Sequence, residues 1–150
     1  MKAFTSLLVI MLVGLGACGG PKTGPQAIHY DRDVCEQCRM MISDPHFAAE
    51  VRAKDGVLHR FDDIGGAVLW MNAHGGSGAQ AEVWVMNMTD GQGWLDARTA
   101  FFVTDQTTPM DFGFGAIAEK TDKAVDFDAM VRSVLARPKM GMDMKMGSGQ

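Results

Sequence analysis

The chain has 150 residues, of which 47% are hydrophobic, and 14 Lys+Arg against 18 Asp+Glu leave a formal net charge of -4. That length suits one small domain or two tightly packed subdomains. The acidic balance, with no basic stripe, excludes a nucleic-acid footprint.

Residues 1–17 read as an export signal. Lys2 supplies the positive start, and Leu7 to Leu15 form an uncharged apolar stretch too short to be a mature spanning helix. Leu15-Gly16-Ala17-Cys18 sets small residues directly before a thiol, as in a bacterial lipobox. This predicts acylation of Cys18 and a firm hold on a membrane surface, against the weaker alternative of an ordinary secretory signal. Gly19 rather than Asp after Cys18 favours the outer membrane, by resemblance to Gram-negative lipoproteins. Residues 18–30 follow as a flexible tether. With Cys18 carrying lipid, only Cys35 and Cys38 of the 3 Cys remain, so no long-range disulfide framework is available and packing must hold the core.

Cys35-Glu36-Gln37-Cys38-Arg39-Met40-Met41 gathers two thiols and two thioethers in seven positions. Soft donors of this kind favour Cu(I) over any hard cation, and outside the cytosol an unprotected pair of this spacing oxidises. Asp31-Arg32-Asp33 before the motif places it in an exposed loop. A structural zinc site needs four donors, and His46, His59 and His74 are scattered. A thioredoxin-like dithiol needs a buried strand before it and a helix after it, whereas these flanks are polar and Pro45 intervenes. A plain disulfide leaves the neighbouring methionines unexplained. His46, close behind the motif, is the candidate nitrogen donor.

Phe47 to Ala53 alternates apolar and polar residues, as a half-buried strand does, and Val57 to Phe61 reads as its partner. A three-residue turn, Lys54-Asp55-Gly56, sets Val51 opposite His59 and puts His59 on the apolar face as a core histidine. Asp62 or Asp63 caps a helix whose core positions are Ile64, Ala67, Val68 and Met71. Asn72 to Gly78 ends it, and Glu82 to Met86 is the next strand. Trp94 to Arg98 leads into a strand at Ala100–Thr104. After a turn at Thr107–Met110 comes a strand at Gly115–Glu119, and Asp126 caps a helix through Phe127, Met130, Val131, Val134 and Leu135. Trp84, Trp94, Phe101 and Phe102 read as core. Antiparallel strands with helices on one face make an α+β domain. Met110 sits in a turn before a glycine-rich stretch; read alone, it is packing more readily than a ligand. No nucleophile triad, phosphate loop or paired-carboxylate arrangement suggests an enzyme. Met140, Met142, Met144 and Met146 alternate through a tail, residues 139–150, that has no core to fill, and form a possible auxiliary copper-binding arm.

Taken together, the lipobox at Cys18, Cys35-Glu36-Gln37-Cys38-Arg39-Met40, Lys54-Asp55-Gly56 followed by Phe61-Asp62-Asp63-Ile64-Gly65, Trp94-Leu95-Asp96-Ala97 and Thr108-Pro109-Met110 resemble the NosL family. These are copper lipoproteins encoded with the nitrous oxide reductase system of denitrifying bacteria. The resemblance implies one α+β domain over residues 31–138, built of two β-β-α-β-like halves (about 31–78 and 79–138) and similar to part of the organomercurial lyase architecture. It implies Cu(I) as cargo, Cys38 and Met110 as ligands, and Cys35 and Met40 within a Cys-x-x-Cys-x-Met pattern. The expected role is delivery of copper, on the periplasmic side of a membrane, to the nitrous oxide reductase apoprotein for its copper-sulfide centre; a membrane copper-transport complex is a further candidate partner. Arg39 stands where the family often has Gly, and Asp111-Phe112 replaces small or polar residues. Two alternatives stand beside this reading: a thiol–disulfide oxidoreductase using Cys35 and Cys38, and a general copper buffer.

Overall fold

In a computed structural model, residues 23–80 and 82–137 are described. The expected export signal, Cys18 and the methionines at 140, 142, 144 and 146 lie outside them. The first elements are a hairpin, β1 (Ala49–Arg52) and β2 (Leu58–Phe61), with Val51 paired to His59 and Ala49 to Phe61. The register follows from the three-residue turn, which needs a left-handed residue: Gly56 has φ 87° and its N–H donates to the Ala53 carbonyl at 2.9 Å. Asp63 then caps helix α1 (Ile64–Ala73), whose Ile64, Ala67, Val68 and Met71 are buried as their spacing predicts.

A single 3₁₀ turn at Ser77–Ala79 precedes β3 (Glu82–Met86). This strand pairs with the free side of β1, setting Ala49 against Val85 and Val51 against Val83. Trp94–Asp96, expected only to lead into the next strand, is itself an edge strand, β4, so the sheet order is β2-β1-β3-β4. The chain leaves that edge because the Asp96 carbonyl accepts the N–H groups of Thr99 (3.1 Å) and Ala100 (2.9 Å), which closes a turn before β5 (Phe101–Val103). The hairpin of β5 with β6 (Gly115–Ile117) forms a second, two-stranded sheet, and α2 (Phe127–Ala136), capped by Asp126, follows it. The class is α+β, and the first half is β-β-α-β as expected. The second instead runs β4-β5-β6-α2, with β4 in the first sheet. Met88 N–H to the Ala116 carbonyl (2.8 Å) ties the two sheets together, and a reciprocal pair between Phe102 and Val125 (2.8 and 2.9 Å) ties the segment before α2 to β5.

Both faces of β1 are buried, which simple alternation does not anticipate. Ala49 and Val51 face the core, while Glu50 and Arg52 are sealed on the other side. A buried charge demands partners. Residues 24–28, expected to be tether, provide them and are thereby pinned to the sheet. Gln26 N–H donates to Glu50 Oε2 at 2.8 Å, Arg52 Nη2 donates to the Gly24 carbonyl at 2.5 Å, and Gly24 N–H donates to Glu82 Oε2 at 2.9 Å. Arg60 and Glu82 complete the network with Glu50 and Arg52, each at 3.1 Å. Of the four aromatics expected in the core, only Phe102 is fully sealed. Trp84 lies on the outer face of β3 and donates from Nε1 to Glu82, and Trp94 and Phe101 are half-buried. Among the described residues, no helix is long and apolar enough to cross a membrane.

Candidate metal centre

The sulfur motif is a tight loop closed on itself. Cys35 N–H donates to the Met40 carbonyl (2.8 Å), and Arg39 N–H donates to the Cys35 carbonyl (3.0 Å). Closing this turn puts Arg39 at φ 65°, a left-handed conformation that favours glycine. Cys35 is buried beneath the turn, Cys38 is half-buried at its mouth, and Met40 and Met41 are exposed at the rim.

Asp62, at the end of β2, faces both thiols. Cys35 Sγ donates to its Oδ1 at 3.3 Å and Cys38 Sγ to its Oδ2 at 3.2 Å. The two sulfurs and a carboxylate oxygen all lie within 4.8 Å of one another, close enough to hold one ion. Both cysteines are free thiols. Burial, eased by a backbone hydrogen bond from Met40 and reinforced by Cys35 and Asp62, pushes the Cys38 thiol up to about 12. In the metal-free site the Cys38 thiol is therefore protonated at neutral pH.

Asp63 does the complementary job. Its Oδ1 accepts Gly66 N–H (2.9 Å) as the cap of α1. Its Oδ2 accepts Thr108 Oγ1–H (2.8 Å) and Met110 N–H (3.1 Å). Burial raises its carboxyl above the usual range, and these hydrogen bonds oppose that rise. The distant 108–112 loop is thus tied to the first turn of α1, beside the cysteines. Two glycines make room for it. A Cβ at Gly66 would stand 2.7 Å from Met110 Sδ and 3.6 Å from Gln37 Cβ, so the thioether and the residue before Cys38 flank one point. A Cβ at Gly65 would collide with the Phe112 ring at 2.0 Å. Asp111, at φ 58°, turns the loop so that Phe112 lands there.

The structure thus sets Cys35 and Cys38 against Asp62, just before α1, and Met110 Sδ against Gly66 in the first turn of α1, with Gln37 on the other side of that glycine. His46 is not brought to them: its Nδ1 lies 3.0 Å from Asp44 Oδ1, and its ring sits over Gly91. His59 packs on Trp70, the ring centroids 4.2 Å apart and the planes tilted by 35°, consistent with a packing role. Sequence reasoning missed Asp62 by assigning the whole Asp62-Asp63 pair to the helix start. One acid suffices as a cap, so the second was the signal that another partner existed.

A family model, NosL, matches residues 25–131. This chain belongs to the NosL family. The crystal structure of the copper chaperone NosL from Shewanella denitrificans superposes with a TM-score of 0.59 at 23% identity, covering 75% of this chain and 88% of that one. At that identity the likeness establishes the shared fold. A search of curated proteins gave no match. Within the NosL family chain described above, the matched segment spans the cysteine turn, both acids and the Met110 loop.

Proposed function

We propose that this chain is a membrane-anchored periplasmic metallochaperone. It carries Cu(I) at the centre built on Cys38 and Met110 and delivers it to nitrous oxide reductase for assembly of the copper-sulfide centre. The observation that supports the reading is the grouping of the Cys35 and Cys38 thiols with the Asp62 carboxylate within 4.8 Å, with the Met110 thioether at the first turn of α1, across Gly66 from Gln37. A copper chaperone of the same fold supports the identity of the cargo. Acylated Cys18 would hold the domain at the membrane, with residues 24–28 as the fixed end of the link.

Charge decides which sulfurs bind. Two thiolates and Asp62 around one monovalent ion would leave a net charge of two negatives in a partly buried site, which is costly. Cys38 as the single thiolate, with Met110 as thioether, balances the ion and leaves only the Asp62 charge, which the Cys35 thiol hydrogen-bonds. Cys35, fully buried, stays hydrogen-bonded to Asp62 Oδ1 beneath the ion. Met40, exposed at the rim, is placed to assist as the ion arrives or leaves, and His46 has no part. Such a site is low-coordinate and open on one side, so an acceptor's donors replace protein sulfurs one at a time. The chemistry is ligand exchange and requires no catalytic group.

The test is competition with a Cu(I) chelator. Cys38→Ser and Met110→Leu should each weaken binding at least about tenfold with the fold intact, since each removes a soft ligand. Retention of full affinity in both variants would sink the assignment. The paired free thiols also suit a thiol–disulfide oxidoreductase. That alternative requires metal-free turnover in a thiol-exchange assay, where the chaperone should show none.

A further inference from the structure

We propose that the thiol pair also takes a divalent thiophilic ion, zinc, on Cys35, Cys38 and Asp62, and that zinc and Cu(I) exclude one another through Cys38. The zinc mode stands on the geometry of these three residues; the exclusion rests on the copper reading above. Asp62 is the group that asks for a cation. Glu50, Asp62 and Asp63 are all buried. Glu50 is answered by the Arg60 guanidinium at 3.1 Å and the Gln26 N–H at 2.8 Å. Asp63 accepts two backbone N–H groups and the Thr108 hydroxyl. Asp62, 2% exposed, accepts only the two thiols among the described residues. S–H is a weak donor, and a buried carboxylate held by weak donors alone lacks the partner that its charge demands.

A divalent ion among the two sulfurs and the carboxylate supplies that partner. Cu(I) with both thiolates and Asp62 would carry two negatives, whereas a divalent ion with the same three groups carries one. Two sulfurs and one carboxylate oxygen form a zinc donor set; Mg²⁺ and Ca²⁺ require oxygen ligands. The dimensions agree. Tetrahedral zinc, with Zn–S of about 2.3 Å and Zn–O of about 2.1 Å, sets sulfur and oxygen about 3.6 Å apart. The thiol sulfurs lie 3.3 and 3.2 Å from the Asp62 oxygens, so one ion replaces two S–H protons with shifts of a few tenths of an ångström. The spacing of the histidines argued against a closed four-donor site; the fold adds Asp62 and gives a three-donor site instead. Cys38, half-buried at the mouth of the turn, leaves the fourth position to water. Zinc entry releases both thiol protons. Zinc-bound thiolates cannot pair as a disulfide, so the ion keeps the centre reduced until copper arrives. Cu(I) then takes Cys38, Cys35 regains one proton, and zinc leaves.

The experiment titrates the reduced, metal-free full chain with zinc against a chromophoric chelator, and with Co(II) as a spectroscopic stand-in. The native chain should bind one zinc, and its Co(II) form should show a sulfur-to-cobalt charge-transfer band. Cys35→Ser and Asp62→Asn should each weaken zinc binding at least about tenfold, since each removes one of three ligands; Met110→Leu should bind zinc like the native chain. One equivalent of Cu(I) should release the zinc to a fluorescent indicator. No zinc bound by the native chain, no charge-transfer band, native zinc affinity in both Cys35→Ser and Asp62→Asn, or zinc retained beside bound copper would each overturn the proposal. Cu(I) affinity of Met110→Leu separates the two readings. If it stays native while zinc binds as described, the copper centre is misassigned; if it falls while the native chain binds no zinc, only the zinc mode is lost.

Discussion

The backbone N–H of Met110 donates to Asp63 Oδ2 at 3.1 Å, joining positions 47 residues apart. The adjacent Asp62 accepts both thiols, at 3.3 and 3.2 Å. Two neighbouring acids therefore build the proposed centre from both sides, one by fixing the Met110 loop and the other by orienting the cysteines.

Asp63→Ala should cost more than a helix cap. Removing a cap costs about 0.5–2 kcal/mol. Here the change also strands Thr108 and the Met110 N–H, and an unsatisfied buried donor adds about 1–3 kcal/mol. Asp126→Ala, the cap of α2 at an exposed site, is the internal control and should lose only the cap. Urea unfolding of the two variants gives the comparison; equal losses would mean that the Met110 loop does not lean on Asp63.

Much of this was legible from the residues. The β1–β2 register followed from Gly56 and the apolar alternation, and both helices followed from a cap plus the 3.6-residue period. Those signals are local. The signals that failed are non-local. Nothing in Trp94-Leu95-Asp96 says that it pairs with β3, because edge pairing depends on where β3 ends up. Nothing in Gly24 and Gln26 shows that they answer Glu50 and Arg52 across the sheet. The site showed the same division. The thiol pair that the fold sets against Asp62 could be named from its spacing, and Met110 entered as a proposal only with the family resemblance, whereas Asp62 was hidden by a sufficient local explanation. His46 was favoured for sequence proximity, which the fold does not honour, because Asp44 and Gly91 hold its ring elsewhere.

The two glycines that open α1 should separate binding from stability. Gly66→Ala places a methyl 2.7 Å from Met110 Sδ, the far end of a flexible side chain. The thioether should swing away, weakening Cu(I) binding with little loss of stability, since Ala gains about 0.5–1 kcal/mol over Gly in a helix. Gly65→Ala meets the Phe112 ring and its Cβ at 2.0–2.4 Å and should displace the loop, lowering the melting temperature as well as affinity. Chelator competition and thermal unfolding of both variants check this. Stronger binding in Gly66→Ala would contradict the placement of Met110.

Arg39→Gly should stabilise the metal-free protein. Arg39 sits at φ 65°, where a side chain costs about 1–2 kcal/mol. The Arg39–Glu36 pair that it loses is exposed, at 3.4 Å, and such pairs contribute about 0–1 kcal/mol. A rise in the unfolding midpoint with unchanged copper affinity is expected; a fall would mean that Arg39 holds the turn by its side chain.

The pH dependence has two signs. The folded Cys38 thiol titrates at about 12 against its usual 9.0, so from pH 9 upward the unfolded chain gives up a proton that the folded one keeps. The metal-free fold therefore loses stability as pH rises through that window. Metal binding runs the other way. On the proposed ligation Cu(I) takes the place of the Cys38 proton, so affinity should climb about tenfold per pH unit through neutrality. A slope near a hundredfold per unit would show that Cys35 is deprotonated too, and a flat profile would remove thiolate ligation altogether.

The most direct measurement is a crystal structure of the Cu(I)-loaded chain. The account predicts one copper ion bonded to Cys38 Sγ and Met110 Sδ at the N-terminus of α1, with Cys35 still hydrogen-bonded to Asp62. Copper seated elsewhere, with those two sulfurs turned away from each other, would contradict it.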